Sequence, residues 1–231
     1  MSTDTEQYKI TMHHSLLIFD LDGTLLDTVD DIGTAANQVL QELGYPSHPL
    51  SAYQEFVGSG VAVLFQRALP DKNPEQSVID ECLVRFEHAY DACWDKASTP
   101  YPKIPELLNQ LLELNYRLAI LSNKPDPFTK KCVTHYFAPY RFHPVFGQRP
   151  TVARKPDPQA VREIMKYHNT SAEQTLFIGD SEIDVQTAQN AGIFSIGVAW
   201  GYRHSEVLLA QGVDLLIEQP SELLSFLSNQ T

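Results

Sequence analysis

The chain has 231 residues, 43% of them hydrophobic, with 17 Lys+Arg against 29 Asp+Glu and a formal net charge of -12. That length suits one large domain or a core with a smaller insert, the apolar fraction supplies a core, and nothing in the composition marks disorder. The acidity excludes a nucleic-acid partner, which needs a basic face, and requires that a small anionic substrate meet a local cation, either Lys/Arg or a metal.

The first fourteen residues, MSTDTEQYKITMHH, are polar and mixed in charge. No apolar stretch follows a basic start, so no signal peptide is predicted, and no later run approaches the length of a membrane span. His13 and His14 read as the lead-in to a first strand. Ser15 to Phe19 (SLLIF) is short and continuously apolar, as a strand buried on both faces of a parallel sheet should be. From about Asp27 to Ala97 the pattern changes. Ile32, Ala35, Ala36, Val39, Leu40 and Leu43 repeat at helical spacing; so do Val61, Leu64, Phe65 and Ala68, and then Ile79, Cys82, Phe86, Ala89, Tyr90 and Cys93. Breaks at Gly44-Tyr45-Pro46, Gly58-Ser59-Gly60 and Pro70 divide this stretch into a small helical bundle. Its aromatic residues between 86 and 94 read as core, and Thr28 with Asp31 as the cap of its first helix.

Beyond residue 100, strand-like and helical stretches alternate. Strands are predicted at Arg117 to Leu121, Phe142 to Phe146, Thr175 to Ile178, Ile193 to Val198 and Val213 to Ile217. Helices are predicted after Pro105, after Asp157-Pro158, and from Asp184 to Ala191 before Gly192. The expected fold class is α/β: a doubly wound, Rossmann-like parallel sheet with right-handed crossovers and an inserted helical-bundle cap. The core would comprise residues 1–26 and 98–231, and the cap residues 27–97. Cys82, Cys93 and Cys132 match no metal spacing and read as reduced thiols, so a cytoplasmic protein is expected.

The residues with chemistry cluster after the predicted strands. Asp20-Leu21-Asp22-Gly23-Thr24 follows the first one. An Asp-Gly hairpin is the plain alternative, but the upstream run does not alternate and the downstream run turns helical. Asp180-Ser181-Glu182-Ile183-Asp184 follows a later strand, where Ser181 and Asp184 also make a helix-capping pattern. Open α/β sheets hold ligands at the carboxyl ends of their strands, and several carboxylates gathered there suit a hard cation such as Mg²⁺. Ser122-Asn123-Lys124 and Lys155-Pro156-Asp157-Pro158 read alone as a polar turn and a surface lysine before a cap. Taken together they offer a hydroxyl, an amide and a cation to a phosphoryl group.

The ordered set DLDGT, LSN, KPDP and GDSEID resembles the haloacid dehalogenase superfamily, and the helical insert resembles its alpha-helical cap subtype. FVGSG and LFQRAL inside the insert, Tyr101-Pro102, and Trp200-Gly201-Tyr202 look like the phosphoglycolate phosphatase branch; Lys103 departs from it, since that branch usually has Gly there. The resemblance implies a Mg²⁺-dependent phosphomonoester hydrolase, acting on 2-phosphoglycolate. Asp20 would be the nucleophile that becomes an aspartyl phosphate, and Asp22 the acid and base. Asp20, the Asp22 backbone carbonyl and Asp180 would hold the metal, with Asp184 as direct or supporting ligand. Ser122 and Lys155 would bind the transferring phosphoryl group. Thr24, Asn123, Gly58, Ser59, Gly60 and Arg67 would complete substrate binding, the cap glycine amides or Arg67 meeting the substrate's carboxylate. The expected partner is a small phosphorylated molecule, with neither nucleic acid nor membrane, and the protein a monomer or weak homodimer. Alternatives are a phosphatase for pyrophosphate, nucleoside monophosphates or sugar phosphates, or a mutase of the beta-phosphoglucomutase kind. A dehalogenase or phosphonate hydrolase would lack the second aspartate, and a protein that kept the fold without turnover would not need every catalytic position filled.

Overall fold

The computed structural model describes residues 14–229, so His13 and the polar start lie outside the described residues. The first strand, β1, is Leu16–Phe19, and each of its residues is at most 1% exposed. Leu17 and Phe19 join one apolar cluster while Leu16 and Ile18 join another, as the two-residue period of a strand requires when both faces are covered. Full burial of such a side chain is worth about 1.5–3 kcal/mol. The same division runs through β4 (Arg117–Pro125), where Leu118 and Ile120 face one cluster and Ala119 and Leu121 the other.

The remaining sheet strands are β5 (Phe142–Gln148), β6 (Thr175–Gly179), β7 (Phe194–Val198) and β8 (Leu215–Ile217). Among the described residues the sheet has six strands in the order β5-β4-β1-β6-β7-β8, all parallel. Helices α5 (Ile104–Glu113), α6 (Asp126–Tyr136), α7 (Gln159–His168), α8 (Glu182–Ala191), α9 (Ser205–Ala210) and α10 (Pro220–Ser228) connect or follow them. This is a doubly wound α/β core. The predicted strands are all present. The main difference is length: β4 runs on through Pro125, four residues beyond its apolar stretch.

Between Leu26–Asp27 (β2) and Thr99–Pro100 (β3) the chain is helical: α1 (Val29–Glu42), a 3₁₀ turn at Leu50–Ala52, α2 (Tyr53–Phe56), α3 (Val61–Ala68) and α4 (Gln76–Asp91). β2 and β3 pair antiparallel, Leu26 opposite Pro100 and Asp27 opposite Thr99, so the segment leaves and returns at one point. Asp31 reinforces that point. Its carboxylate accepts from the Ala97 amide at 2.9 Å, the Ser98 amide at 2.8 Å and the Ser98 hydroxyl at 2.6 Å. The Thr28 side chain makes no cap hydrogen bond and donates instead to Asp22 Oδ1. The capping expectation for Thr28 and Asp31 is therefore corrected: both side chains are drawn into long-range contacts that local spacing does not reveal.

Lys103 has φ 66°, in the left-handed region that Gly enters without a Cβ clash. The Gly of the resembled branch thus answers a backbone demand at the start of α5, away from the substrate. The three cysteines are free thiols, and no described helix is long and apolar enough to cross a membrane.

Candidate active site

β1 and β6 are neighbours, with Phe19 opposite Ile178. Asp20 and Asp180 therefore emerge side by side at the carboxyl edge of the sheet. Asp184 joins them from the first turn of α8. Its Oδ2 closes a capping box with the Ser181 amide (3.1 Å) and hydroxyl (2.7 Å), while its Oδ1 accepts from Lys155 Nζ at 2.7 Å. Helix capping and an ion pair with Lys155 thus coexist in one carboxylate. Lys155 Nζ also lies 2.9 Å from Asp20 Oδ1, which accepts the Leu21 amide at 2.7 Å. Asp180 accepts from Thr24 Oγ1 at 3.0 Å and from the Tyr202 amide at 2.9 Å. It is packed closely enough that a Cβ on Gly201 would come within 2.1 Å of the Asp180 Cβ.

Asp20, Asp180 and Asp184 are buried, with one oxygen of each within 4.8 Å of the others. Burial pushes Asp20 well above the usual carboxylate range; Lys155 pulls it down, and the Asp184 and Asp180 charges push it up again. Burial, then the Asp184 charge, pushes Asp180 up to about 7. Burial alone would lower Lys155, but the Asp184 and Asp20 charges outweigh it and raise its affinity for a proton. Three buried carboxylates facing one ammonium leave negative charge uncompensated. That is the electrostatic setting in which a metal cation is held.

Asp22 stands apart from this cluster. Its Oδ1 accepts from Thr28 Oγ1 at 2.7 Å and from Lys124 Nζ at 2.9 Å, and Thr28 is backed by the Tyr202 hydroxyl. Lys124 is buried, and its ammonium stands 4.6 Å from the centre of the Tyr90 ring. Burial would lower Lys124, but Asp22, Tyr90 and Cys132 together outweigh it, so the side chain is held as a cation.

A cavity of about 510 Å³, open mouth included, lies above these groups. Asp20, Asp22, Ser122, Asn123 and Lys124 line its core side; Ile32, Val57, Gly58, Gly60, Leu64, Phe86 and Tyr90 belong to its helical side. Core side chains pin the intervening loop. Asn123 Nδ2 donates to Gly58 O at 3.0 Å, Arg154 Nη1 to Ser59 O at 2.8 Å, Arg203 Nη2 to Val57 O at 2.8 Å, and Arg203 Nη1 to Gln54 O. Asn123 also clamps Lys155, accepting its amide and donating to its carbonyl.

The structure brings Asp20, Asp22, Ser122, Asn123, Gly58 and Gly60 to one cavity, with Lys155, Asp180 and Asp184 directly behind Asp20. Thr24, Ser59 and Arg67 do not line it. The Thr24 hydroxyl serves Asp180, and Ser59 gives its carbonyl to Arg154. Arg67 donates to the carbonyls of Glu55 and Phe56. Trp200 and Tyr202 likewise hold the first-motif backbone and Thr28, so they support the site rather than line it. Sequence reasoning missed Lys124 and Tyr90. Carrying β4 past its apolar run would have placed Ser122 and Lys124 on one face at a period of two. For Tyr90, nothing local distinguishes it from the core residues around it.

A family model described as haloacid dehalogenase-like hydrolase matches residues 17–198. A phosphoglycolate phosphatase from Vibrio cholerae is 36% identical over 214 residues, covering 90% of this chain and 95% of its own. A solved structure from Lactobacillus delbrueckii subsp. bulgaricus, which carries a provisional phosphoglycolate phosphatase assignment, superimposes with a TM-score of 0.87 at 28% identity, covering 94% of this chain and 99% of its own. A structure from Bacteroides vulgatus, provisionally a beta-phosphoglucomutase, gives a TM-score of 0.75 over 95% of this chain and 90% of its own; at 18% identity it shares the fold alone.

Proposed function

The chain belongs to the haloacid dehalogenase-like hydrolases, and from that premise we propose that it is a phosphatase that splits 2-phosphoglycolate into glycolate and inorganic phosphate through an aspartyl phosphate on Asp20. The observation that carries this reading is the placement of Asp20 and Asp22 in one cavity, with Lys155 on the first and Lys124 with Thr28 on the second.

The donor set suits Mg²⁺: hard carboxylate oxygens of Asp20, Asp180 and Asp184, with more negative charge than Lys155 offsets, and the backbone carbonyl of Asp22 would complete it. When bound, the ion would reduce the repulsion between a carboxylate nucleophile and a phosphate dianion. The protein's own groups do the rest. The Leu21 amide and Lys155 hold Asp20 Oδ1, so Oδ2 attacks phosphorus as the ester oxygen departs. Asp22, fixed through Oδ1, passes a proton from Oδ2 to that oxygen. It then takes a proton from the water that attacks the phosphoenzyme, which frees Asp20 and releases phosphate. The Ser122 hydroxyl and the Lys155 ammonium bind the transferring oxygens.

The substrate reading rests on the named relatives and on size. Gly58, Gly60, Val61, Leu64 and Phe86 close the cavity over the core, which favours a compact ester over a nucleotide or a protein. Residues 27–97 act as a lid on the β2–β3 pair, with residues 1–26 and 98–231 as the catalytic core; Asn123, Arg154 and Arg203 hold the lid shut. Closure excludes water from the leaving-group step. Three free thiols favour the cytoplasm.

The test is a panel of 2-phosphoglycolate, pyrophosphate, a nucleoside monophosphate and a sugar phosphate, assayed with saturating Mg²⁺ and with EDTA. The expected result is highest kcat/KM on 2-phosphoglycolate and no turnover with EDTA. Another ester ahead by about tenfold, or about 1.4 kcal/mol in transition-state binding, would overturn the substrate but leave the phosphatase.

A further inference from the structure

Two buried groups of the cavity touch no reacting atom in the chemistry above, although Lys124 positions Asp22. Lys124 carries three N–H donors; among the described residues they meet Asp22 Oδ1 and the Tyr90 hydroxyl, which leaves one over. Tyr90 is 1% exposed, and its hydroxyl lies beside the Lys124 ammonium, with no acceptor for its own proton among the described residues. A buried O–H without an acceptor is destabilising, so a left-over donor pair on a cavity wall asks for an anionic ligand. Both residues line the same cavity, and the ammonium stands over the phenol ring. The Tyr90 ring is held firmly, stacked on Phe86 at 5.4 Å and edge-on to Phe128 at 5.0 Å. The insert's other side chains around the cavity, Ile32, Val57, Val61, Leu64 and Phe86, are apolar and offer an anion nothing.

We infer that Lys124 Nζ and Tyr90 Oη form the subsite that receives a second anionic group on the leaving half of the substrate, and that this subsite selects carboxylate-bearing phosphate esters. The inference rests on the substrate class proposed above and gives it a physical reader. Its spacing is set by the chemistry. One methylene separates the ester oxygen of 2-phosphoglycolate from its carboxylate, so the carboxylate must fall beside the group that protonates that oxygen. Lys124 is one hydrogen bond, 2.9 Å, from Asp22. The ammonium supplies charge and the phenol a directed donor, one group from the core and one from the insert, so both engage only when the cavity is closed. Arg67, the alternative cation, is bonded to backbone carbonyls outside the cavity.

The experiment compares kcat/KM on 2-phosphoglycolate with kcat/KM on ethyl phosphate, which lacks the carboxylate, in wild type, Lys124→Met and Tyr90→Phe. Wild type should favour 2-phosphoglycolate by at least about tenfold. The ratio should fall about tenfold or more in Lys124→Met, and by about threefold to tenfold in Tyr90→Phe, mainly through KM. Lys124→Met will also slow both esters by disturbing Asp22. A weaker proton donor penalises the more basic alcohol, ethanol, and so would raise the ratio rather than lower it. Tyr90→Phe keeps the ring and its stacking, and decides the matter if Lys124→Met does not fold. A wild-type preference that survives intact in the folded variants would overturn the inference and leave the substrate reading standing. A wild type that does not distinguish the two esters would overturn both.

Discussion

The sheet edge and the helical wall facing it treat polar groups in opposite ways. At the edge, each of Asp20, Asp22, Asp180 and Asp184 is held on at least one oxygen by a protein donor, and Lys155 is fixed between two of them. On the wall the surfaces are apolar, one hydroxyl has no acceptor for its proton among the described residues, and core side chains tie down the loop at Gly58–Gly60 through its carbonyls. The edge is preorganised for a step common to every phosphate ester; the wall meets the part of the ester that differs. Damage to the edge should therefore cost all substrates alike, and damage to the wall should cost them unequally.

The largest effect expected is from Asp20→Asn, which keeps the shape of the side chain but cannot form the acyl phosphate. Activity should fall by at least about a thousandfold, equally on 2-phosphoglycolate and on para-nitrophenyl phosphate, with the thermal midpoint preserved. A loss of tenfold or less would remove Asp20 from the nucleophile's role.

Next is the loop. Gly58 and Gly60 have φ 105° and 89°, and a Cβ on Gly60 would lie 2.8 Å from Arg154 Nη1. Replacing both with Val strains the backbone and dislodges the loop's contact with Arg154. Turnover of 2-phosphoglycolate should drop about tenfold or more, while that of para-nitrophenyl phosphate, which leaves readily without assistance, drops less. Equal losses would erase the distinction between edge and wall.

The smallest effect is on stability. Without a cation, burial and the Asp184 charge push the Asp180 carboxyl up to about 7, from the ordinary aspartate value of about 3.9. Between those values the folded state binds the extra proton, so the metal-free protein loses stability as pH rises from about 4 to about 7, by up to about 1.4 kcal/mol per pH unit, and levels off above. A bound metal needs the ionised carboxylate, so stabilisation by Mg²⁺ should grow across the same window. Thermal melts with and without Mg²⁺ between about pH 5 and pH 8 would show it, and Asp180→Asn should flatten the difference. A Mg²⁺ effect that stays constant with pH would mean that Asp180 is not part of the cation's site.

The same contrast explains how much could be read from the chain. Asp20 and Asp180 follow continuous apolar runs, so their position at the strand ends was legible from burial and period alone, and the ordered motifs added Lys155 and Asp184. The wall was not legible in that way. Tyr90 has helical spacing like Phe86 and Ala89, and only the folded chain brings it to the same cavity as Lys124. Thr28 and Asp31 imitate a cap, but a tyrosine 174 residues away and amides 66 and 67 residues away claim them. Arg67 looked available because the carbonyls of Glu55 and Phe56 that occupy it arrive only when α2 and α3 pack together.

The central claim is a covalent phosphoenzyme at Asp20, and chemical trapping reaches it most directly. Enzyme turning over 2-phosphoglycolate with Mg²⁺ is quenched in acid and treated with tritiated borohydride, which reduces an acyl phosphate to the alcohol. Peptide mapping should find the tritium in homoserine at position 20, at a level that rises with substrate and vanishes in Asp20→Asn. Tritium at another residue, or none while phosphate is released at the full rate and an authentic acyl phosphate control is labelled, would contradict the account.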